Sequence, residues 1–415
     1  MSQLQQLIND LCPNGVEKYT IGELCDISRG RVMSKEYIRE NQGDYSVYSS
    51  QTENNGELGR ISTYDFMGKY LTWTTDGANA GTVFYRNGKF SITNVCGLLK
   101  VKSNKLLIKY LYYTLGIEAP KHVSSGMGNP KLMSNVMARI SIPVPPLAVQ
   151  REIVRILDNF TELTAELTAE LELRKKQYEY YRDQLLSFTD KRGGVRFVKL
   201  EEIAVDIYRG AGIKRDQVTS EGISCVRYGE IYTTYNTWFD KCVSHTKLEY
   251  VPSPKYFEHG DILFAITGES VEDIAKSIAY LGHEKCLAGG DIVVLKHNQN
   301  PRYLAHVLAT KAARDQKSKG KVKSKVVHSN VPSIEQIIIP LPSLEIQARY
   351  ADVLDNFERI CNDLKIGLPA EIEARQKQYE FYRDLLLTFA ETGSIVGQSR
   401  AEQSRAEQSR ARIVP

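Results

Sequence analysis

Residues 174–188 read RKKQYEYYRDQLLSF and residues 375–389 read RQKQYEFYRDLLLTF, eleven identities in fifteen positions at an offset of 201. A chain that repeats itself over such a distance folds as two related copies, so this repeat constrains the architecture before composition does. Upstream, IPVPPLAVQ (142–150) is answered by IPLPSLEIQ (339–347), and LDNF at 157–160 by LDNF at 354–357, both at an offset of 197. The second copy therefore carries four more residues between its LDNF and its RxKQYE block. A fainter echo opens each copy, GVEKYTIGELCDISRG (15–30) against GVRFVKLEEIAVDIYRG (194–210). The blocks in between hardly resemble each other, so similar frames hold different inserts.

Each frame ends in a long helix. From Val149 to Phe188 apolar residues recur every three or four positions, through Ile153, Ile156, Phe160, Leu163, Leu167, Leu171, Tyr178, Tyr181 and Leu185, giving one helical stripe. The second stripe runs Ile346, Tyr350, Val353, Phe357, Ile360 and Leu364, alternating four and three as in a coiled-coil seam. Gly367 and Pro369 interrupt it before Ile372, Tyr379, Tyr382, Leu386 and Phe389 resume. A helix of about 40 residues spans roughly 60 Å, too long to be covered by one small domain. The two helices are expected to pack on each other as an antiparallel coiled coil; the alternative is that each packs on its own domain.

The inserts carry short β-rich runs, YLTW (70–73), TVFY (82–85), DILFAIT (261–267) and DIVVLK (291–296), separated by Gly, Asn and Asp turns. Short helices are expected around 105–115 and 301–313. The fold class is therefore α+β: two mixed α/β domains separated by two long helices, in a pseudo-two-fold tandem repeat. The expected boundaries are 1–145, first domain; 146–190, central helix; 191–342, second domain; 343–390, distal helix. Residues 391–415, built from SRAEQ units, have too little apolar surface to fold and are expected to be a disordered low-complexity tail.

Chemistry is scarce. The chain has no GxxxxGK[ST] phosphate loop, no GxGxxG, no GxSxG elbow and no FxGxG with [DNS]PP[FYW]; Asn129 and Pro130 are followed by Lys131. Its seven cysteines are scattered without a CxxC pair, and neither they nor the histidines show zinc spacing, so free thiols and no metal are expected. No stretch approaches the roughly 20 apolar residues of a membrane span, which points to a cytoplasmic protein. Lys plus Arg number 54 against 50 Asp plus Glu, so any basic surface must be local.

One local excess exists. In KAARDQKSKGKVKSKVVH (311–328) seven cations face a single acid, and Lys317, Lys319, Lys321, Lys323 and Lys325 alternate with Ser, Gly and Val. Such an arm could follow a phosphate backbone in a salt-dependent manner, or be an ordinary solvated loop. The first domain offers a less charged counterpart, PKHVSSGMGNPK (120–131), with Lys121 and Lys131. The polar loops SQTENNGELGR (50–60) and TTDGANAG (74–81) could present Arg60, Thr75 and Asn79 to base edges, or be plain turns.

With the IPxPxLxxQ and LDxF…RxKQYExYRDxLLxF blocks in tandem, the chain resembles the specificity subunits of type I restriction-modification enzymes, over nearly its whole length to about residue 390. TELTAELTAEL (161–171) is similar to the TAEL repeats of the type IC branch. The resemblance implies that each variable block is a target-recognition domain reading one half of a split, asymmetric double-stranded DNA target. It further implies that the helices act as a spacer ruler and as a dock for two modification subunits, through Leu163, Leu167, Leu171, Tyr178, Tyr181, Tyr379 and Tyr382. S-adenosylmethionine, ATP and Mg2+ would be used by those subunits and by the motor-nuclease restriction subunits, with no cofactor and no catalytic residue in this chain. The SRAEQ tail belongs to no part of that family pattern. An enzyme with a degenerate active site and a coiled-coil protein with protein-binding ends are the alternatives.

Overall fold

The computed structural model describes residues 3–124, 128–188, 195–319, 326–362 and 367–392. Lys321, Lys323, Lys325 and the SRAEQ tail lie outside the described residues. The chain divides into two units, Met1–Ala165 with Ala374–Pro415, and Glu166–Glu373. Each unit thus takes in one of the two mixed α/β domains and a stretch of both long helices, so a division by sequence order separates pieces that pack together.

In the first unit, six strands form one sheet in the order Cys25–Arg29, Cys96–Val101, Phe66–Thr74, Val83–Ile92, Tyr45–Tyr48, Glu57–Ile61. All neighbours run antiparallel except Tyr45–Tyr48 beside Val83–Ile92. The Trp73 indole is fully buried over Gly97, its cross-strand partner, and donates to the Leu132 carbonyl at 2.9 Å. A Cβ on Gly97 would sit 2.2 Å from that ring. The helix Ile108–Lys121 joins the same core through Tyr110 and Leu111.

A short seam, Lys18–Thr20 paired with Ser141–Pro143, leads into the central helix, Leu147–Leu185. The expected helix is present, free of internal Gly and Pro, with the good formers Ala, Glu and Leu at three of every four TAEL positions. Its first turns bury Val149, Ile153 and Leu157 with Leu386, Leu387 and Phe389 of the distal helix, and Phe160 stacks on Tyr382 at 5.4 Å.

The second unit has two five-stranded sheets. The first runs Ala204–Arg209, Ile292–His297, Ile262–Ala265, Ser277–Tyr280, Trp238–Phe239 and holds the fully buried run from Ile262 to Ala265. The second runs Val218–Thr219, Ser244–Thr246, Ile223–Val226, Cys286–Ala288, Tyr256–Phe257. The seam pairs Arg196–Lys199 with Ile338–Leu341 and leads into Leu344–Asn362. Pro369 sits in the first turn of the next helix, Leu368–Thr392, where its missing N–H costs nothing. Leu171, Tyr178 and Leu186 share a core with Ala351, Leu354 and Cys361. Phe188 lies 5.4 Å from Tyr350 while Cys361 faces Arg174 and Lys175, so these two helical stretches run antiparallel within the unit.

Candidate nucleic-acid interface

The three polar loops singled out in the first domain converge. Ser50 Oγ donates to Asp76 at 3.1 Å, and Asn79 Nδ2 to Thr52 Oγ1 at 2.9 Å. Gly77 N–H reaches the Pro130 carbonyl at 3.1 Å, Leu132 N–H the Thr75 carbonyl at 2.9 Å, and Asp76 bridges Lys131. Exposed on this cluster are Asn79 and Lys131, together with Asn54 and Asn55, both left-handed at φ 49° and 53°, a conformation Asn tolerates better than most residues. Lys121 ends the helix whose Ala119 packs under Gly81; it is exposed and paired with Glu118 at 2.7 Å. Arg60 stands exposed on the edge strand, its Nε on Glu57 at 2.9 Å.

Thr75 requires correction. It is 1% exposed and its hydroxyl donates to the Val95 carbonyl at 2.8 Å, so it braces the loop from below and presents nothing to a base edge. Sequence reasoning missed Arg86 underneath the same loops. Its guanidinium lies 3.5 Å from the Tyr48 ring centroid, Nε donates to Thr72 at 3.0 Å, and Nη1 finds no acceptor among the described residues. Burial pushes its pKa down. An arginine inside the otherwise ordinary VFYRNGKF strand gives no signal that it points inward.

The second domain is assembled the same way. Ser329 N–H reaches the Ile266 carbonyl at 2.8 Å and Thr267 pairs with His328, so the segment 327–329 crosses the end of a central strand as 130–132 does in the first domain. Lys319 is exposed at the start of that run. Lys317 is not: it is 5% exposed, donates to Ser277 Oγ at 3.1 Å and the Leu308 carbonyl at 2.8 Å, and lies 5.6 Å from the Phe264 ring. The expectation that it contacts phosphate is therefore corrected, since it belongs to the amphipathic helix Lys311–Ser318 and points into the domain.

The two copies of LDNF tie each domain to the long helices by one device. In the first unit Asp158 accepts from Lys109 at 2.6 Å and Tyr113 at 2.7 Å, and Tyr379 lies close to Tyr113. In the second, Asp355 accepts from Arg302 at 2.7 Å and from His306 Nε2 at 2.7 Å, while Tyr178 Oη bonds His306 Nδ1 at 3.0 Å. Burial works to raise the Asp355 carboxyl, but the bonds from His306 and Arg302 outweigh it and hold its pKa below the usual range. Arg182 lies over Tyr178 as Arg383 lies over Tyr379.

Of the helix residues expected to meet other subunits, Leu163, Tyr181 and Tyr382 are exposed, Leu167 and Tyr379 half-buried, and Leu171 and Tyr178 buried in the second core. Tyr178 is thus an intramolecular anchor and not a surface for a partner. His306, Asp355 and Glu358 bring ligand-type atoms within 4.8 Å. Both imidazole nitrogens are already bonded, and Tyr113 and Thr161 stand at the matching places of the first unit, which marks the group as structural.

The model for the type I restriction modification DNA specificity domain matches twice, over residues 13–173 and 195–374. The chain belongs to this family. A putative type I specificity subunit of Mycoplasma pneumoniae is 34% identical over 92% of this chain and 99% of its own length. The specificity subunit of the type I restriction enzyme MpnII of the same organism is 48% identical over 42% of this chain and 54% of its own. The fold is shared with an S subunit from M. genitalium, at a TM-score of 0.50 and 16% identity over 93% of this chain and 99% of that one. It is shared too with a chain from structures of type I R-M complex assembly, at a TM-score of 0.60 and 15% identity over 90% and 98%. Among the described residues no helix of this type I specificity protein is long and apolar enough to cross a membrane.

Proposed function

We propose that this chain supplies the DNA sequence specificity of a type I restriction-modification complex without catalysing a reaction itself. Each domain reads one half of a split, asymmetric target; the long helices set the spacing and dock two modification subunits and, through them, the restriction subunits. S-adenosylmethionine, ATP and Mg2+ serve those partners. The observation that supports this reading is the equivalent placement of unlike loops, 74–81 with 130–132 in one domain and 266–268 with 327–329 in the other, on frames that otherwise repeat. Equivalent platforms with different side chains are what recognition of two different half-sites requires, because base edges are told apart by the donors and acceptors presented to them. Asn79, Lys131, Lys121 and Lys319 are the exposed candidates for contact, with Lys321, Lys323 and Lys325 completing the basic run.

The decisive experiment is mapping of methylated adenines in cells carrying this chain with its cognate modification subunit, against cells lacking this chain alone. A split motif with a fixed gap that disappears with the chain is expected. Methylation that persists unchanged without it would overturn the reading, as would methyltransferase activity in the purified chain.

A further inference from the structure

Behind the Tyr178–His306–Asp355 junction the second unit holds a cavity of about 260 Å³. Its walls carry several charged side chains. Glu358 is 8% exposed; its Oε1 accepts from the Thr237 hydroxyl at 2.6 Å and the Thr237 N–H at 3.3 Å, while Oε2 meets no donor among the described residues. Opposite stand Lys276, Arg314 and the buried Lys317, with Arg182 already paired to Asp183 and with the exposed carboxylates of Glu272 and Asp273 at the rim. Neither Lys276 nor Arg314 makes a direct side-chain ion pair or hydrogen bond among the described residues, although the Asp273 and Glu358 carboxylates act on Lys276 at longer range, and the Lys317 ammonium has two acceptors for three protons.

A carboxylate oxygen can only accept, and the three cations can only donate. Water can serve both sides, but a ligand that also offsets the positive charge of Lys276, Arg314 and Lys317 while donating to Oε2 is an anion that carries a proton. A fully deprotonated oxyanion such as sulfate, or a phosphodiester of nucleic acid, answers the cations but repels Glu358. A phosphate bearing an O–H donates it to Oε2 and turns its remaining oxygens to Lys276, Arg314 and Lys317. The matching position of the first unit holds Thr161 instead of Glu358, so the arrangement is specific to the second copy.

We propose that this cavity is a binding site for a protonated phosphate group, supplied as inorganic phosphate or as the terminal phosphate of a small monoester. Occupancy would brace the 272–277 turn of the second domain against Glu358 of the distal helix. Burial pushes the free Lys317 ammonium down to about 7, so an arriving anion should draw a proton onto it near neutral pH.

The test is isothermal titration of the full chain with inorganic phosphate, sulfate and dimethyl phosphate at constant ionic strength, repeated in buffers of different ionisation enthalpy. Saturable phosphate binding is expected, with sulfate and the diester weaker by about ten-fold or more and with net proton uptake at pH 7.5. Glu358→Gln should abolish the preference for phosphate over sulfate. Lys276→Gln, which removes a half-buried cation that makes no direct ion pair or hydrogen bond among the described residues, should weaken phosphate by about ten-fold, with thermal unfolding of the variant as the control for folding. A monoester that competes with phosphate would name the source as a metabolite, and one that fails to compete would name inorganic phosphate. Equal affinity for phosphate and sulfate in the unmodified chain, no saturable binding, or Lys276→Gln binding phosphate unchanged would overturn the proposal.

Discussion

Tyr178 on the central helix places its hydroxyl 3.0 Å from Nδ1 of His306 in the second domain. His306 Nε2 faces the Asp355 carboxylate at 2.7 Å and so carries a proton; in the corresponding neutral tautomer Nδ1 accepts from Tyr178. The relay therefore has a direction, from the central helix through the domain to the distal helix.

Breaking it should cost more than one hydrogen bond. His306 is fully buried, so Tyr178→Phe leaves an imidazole acceptor unsatisfied and is expected to destabilise the protein by about 1–3 kcal/mol. His306→Leu removes both bonds. In a double-mutant cycle read by denaturant unfolding, the two changes should couple by about 0.5 kcal/mol or more; strict additivity would show that the hydroxyl and the imidazole do not interact.

Lys317 gives a prediction in pH. Its folded pKa of about 7 lies below the ordinary value of 10.5, so between these limits the unfolded chain binds more protons than the folded one. Its contribution to stability accordingly rises with pH across that window and is flat below about 7. Replacing it by Met removes the titration. The stability gap between Lys317→Met and the unmodified chain should shift by about 1.4 kcal/mol per pH unit between pH 7.5 and 9.5, in favour of the unmodified chain as pH rises. A pH-independent gap would mean that the ammonium is solvated.

Gly97 tests the packing of the first sheet. A methyl there meets the Trp73 ring at 2.2 Å, and that ring is held in place by the Leu132 carbonyl, so it cannot swing away. Gly97→Ala is expected to cost about 1–3 kcal/mol in chemical denaturation, while Gly116→Ala, at a helical site with open space around it, should be neutral or stabilising.

The long helices, the seams and several strands were legible in the sequence because they rest on local periodicity: the stripe from Val149 to Phe188 becomes Leu147–Leu185, and DIVVLK becomes Ile292–His297. What stayed hidden depends on residues far apart in the chain. Nothing near Lys317 announces that Ser277 and the Leu308 carbonyl will receive its ammonium, so it read as one more member of a basic run. Thr75 was misread for the same reason, its partner being Val95 across a turn. The assignment of Phe160 and Tyr382 to one unit is likewise a contact between residues that no window of sequence spans. The loop cluster was half visible: composition picked out 50–60, 74–81 and 120–131, but only the fold brings them together.

The TAEL units allow the proposed spacer role to be tested without touching the loops of either domain. Leu171 lies in the second core and Leu167 is half-buried, and both are the last residue of an identical TAEL unit. Deleting Thr168 to Leu171 therefore leaves Leu167 to fill the place of Leu171, and the helix closes over the gap with its composition unchanged. The deletion shortens the helix by about 6 Å and rotates one side against the other by roughly 40°. Against a rise of about 3.4 Å per base pair, the shift corresponds to one or two base pairs. In cells with the cognate modification subunit, the variant should methylate the same two half-sites separated by a shorter gap. An altered half-site with an unchanged gap would refute the ruler, and would place spacing control in the domains instead of the helices.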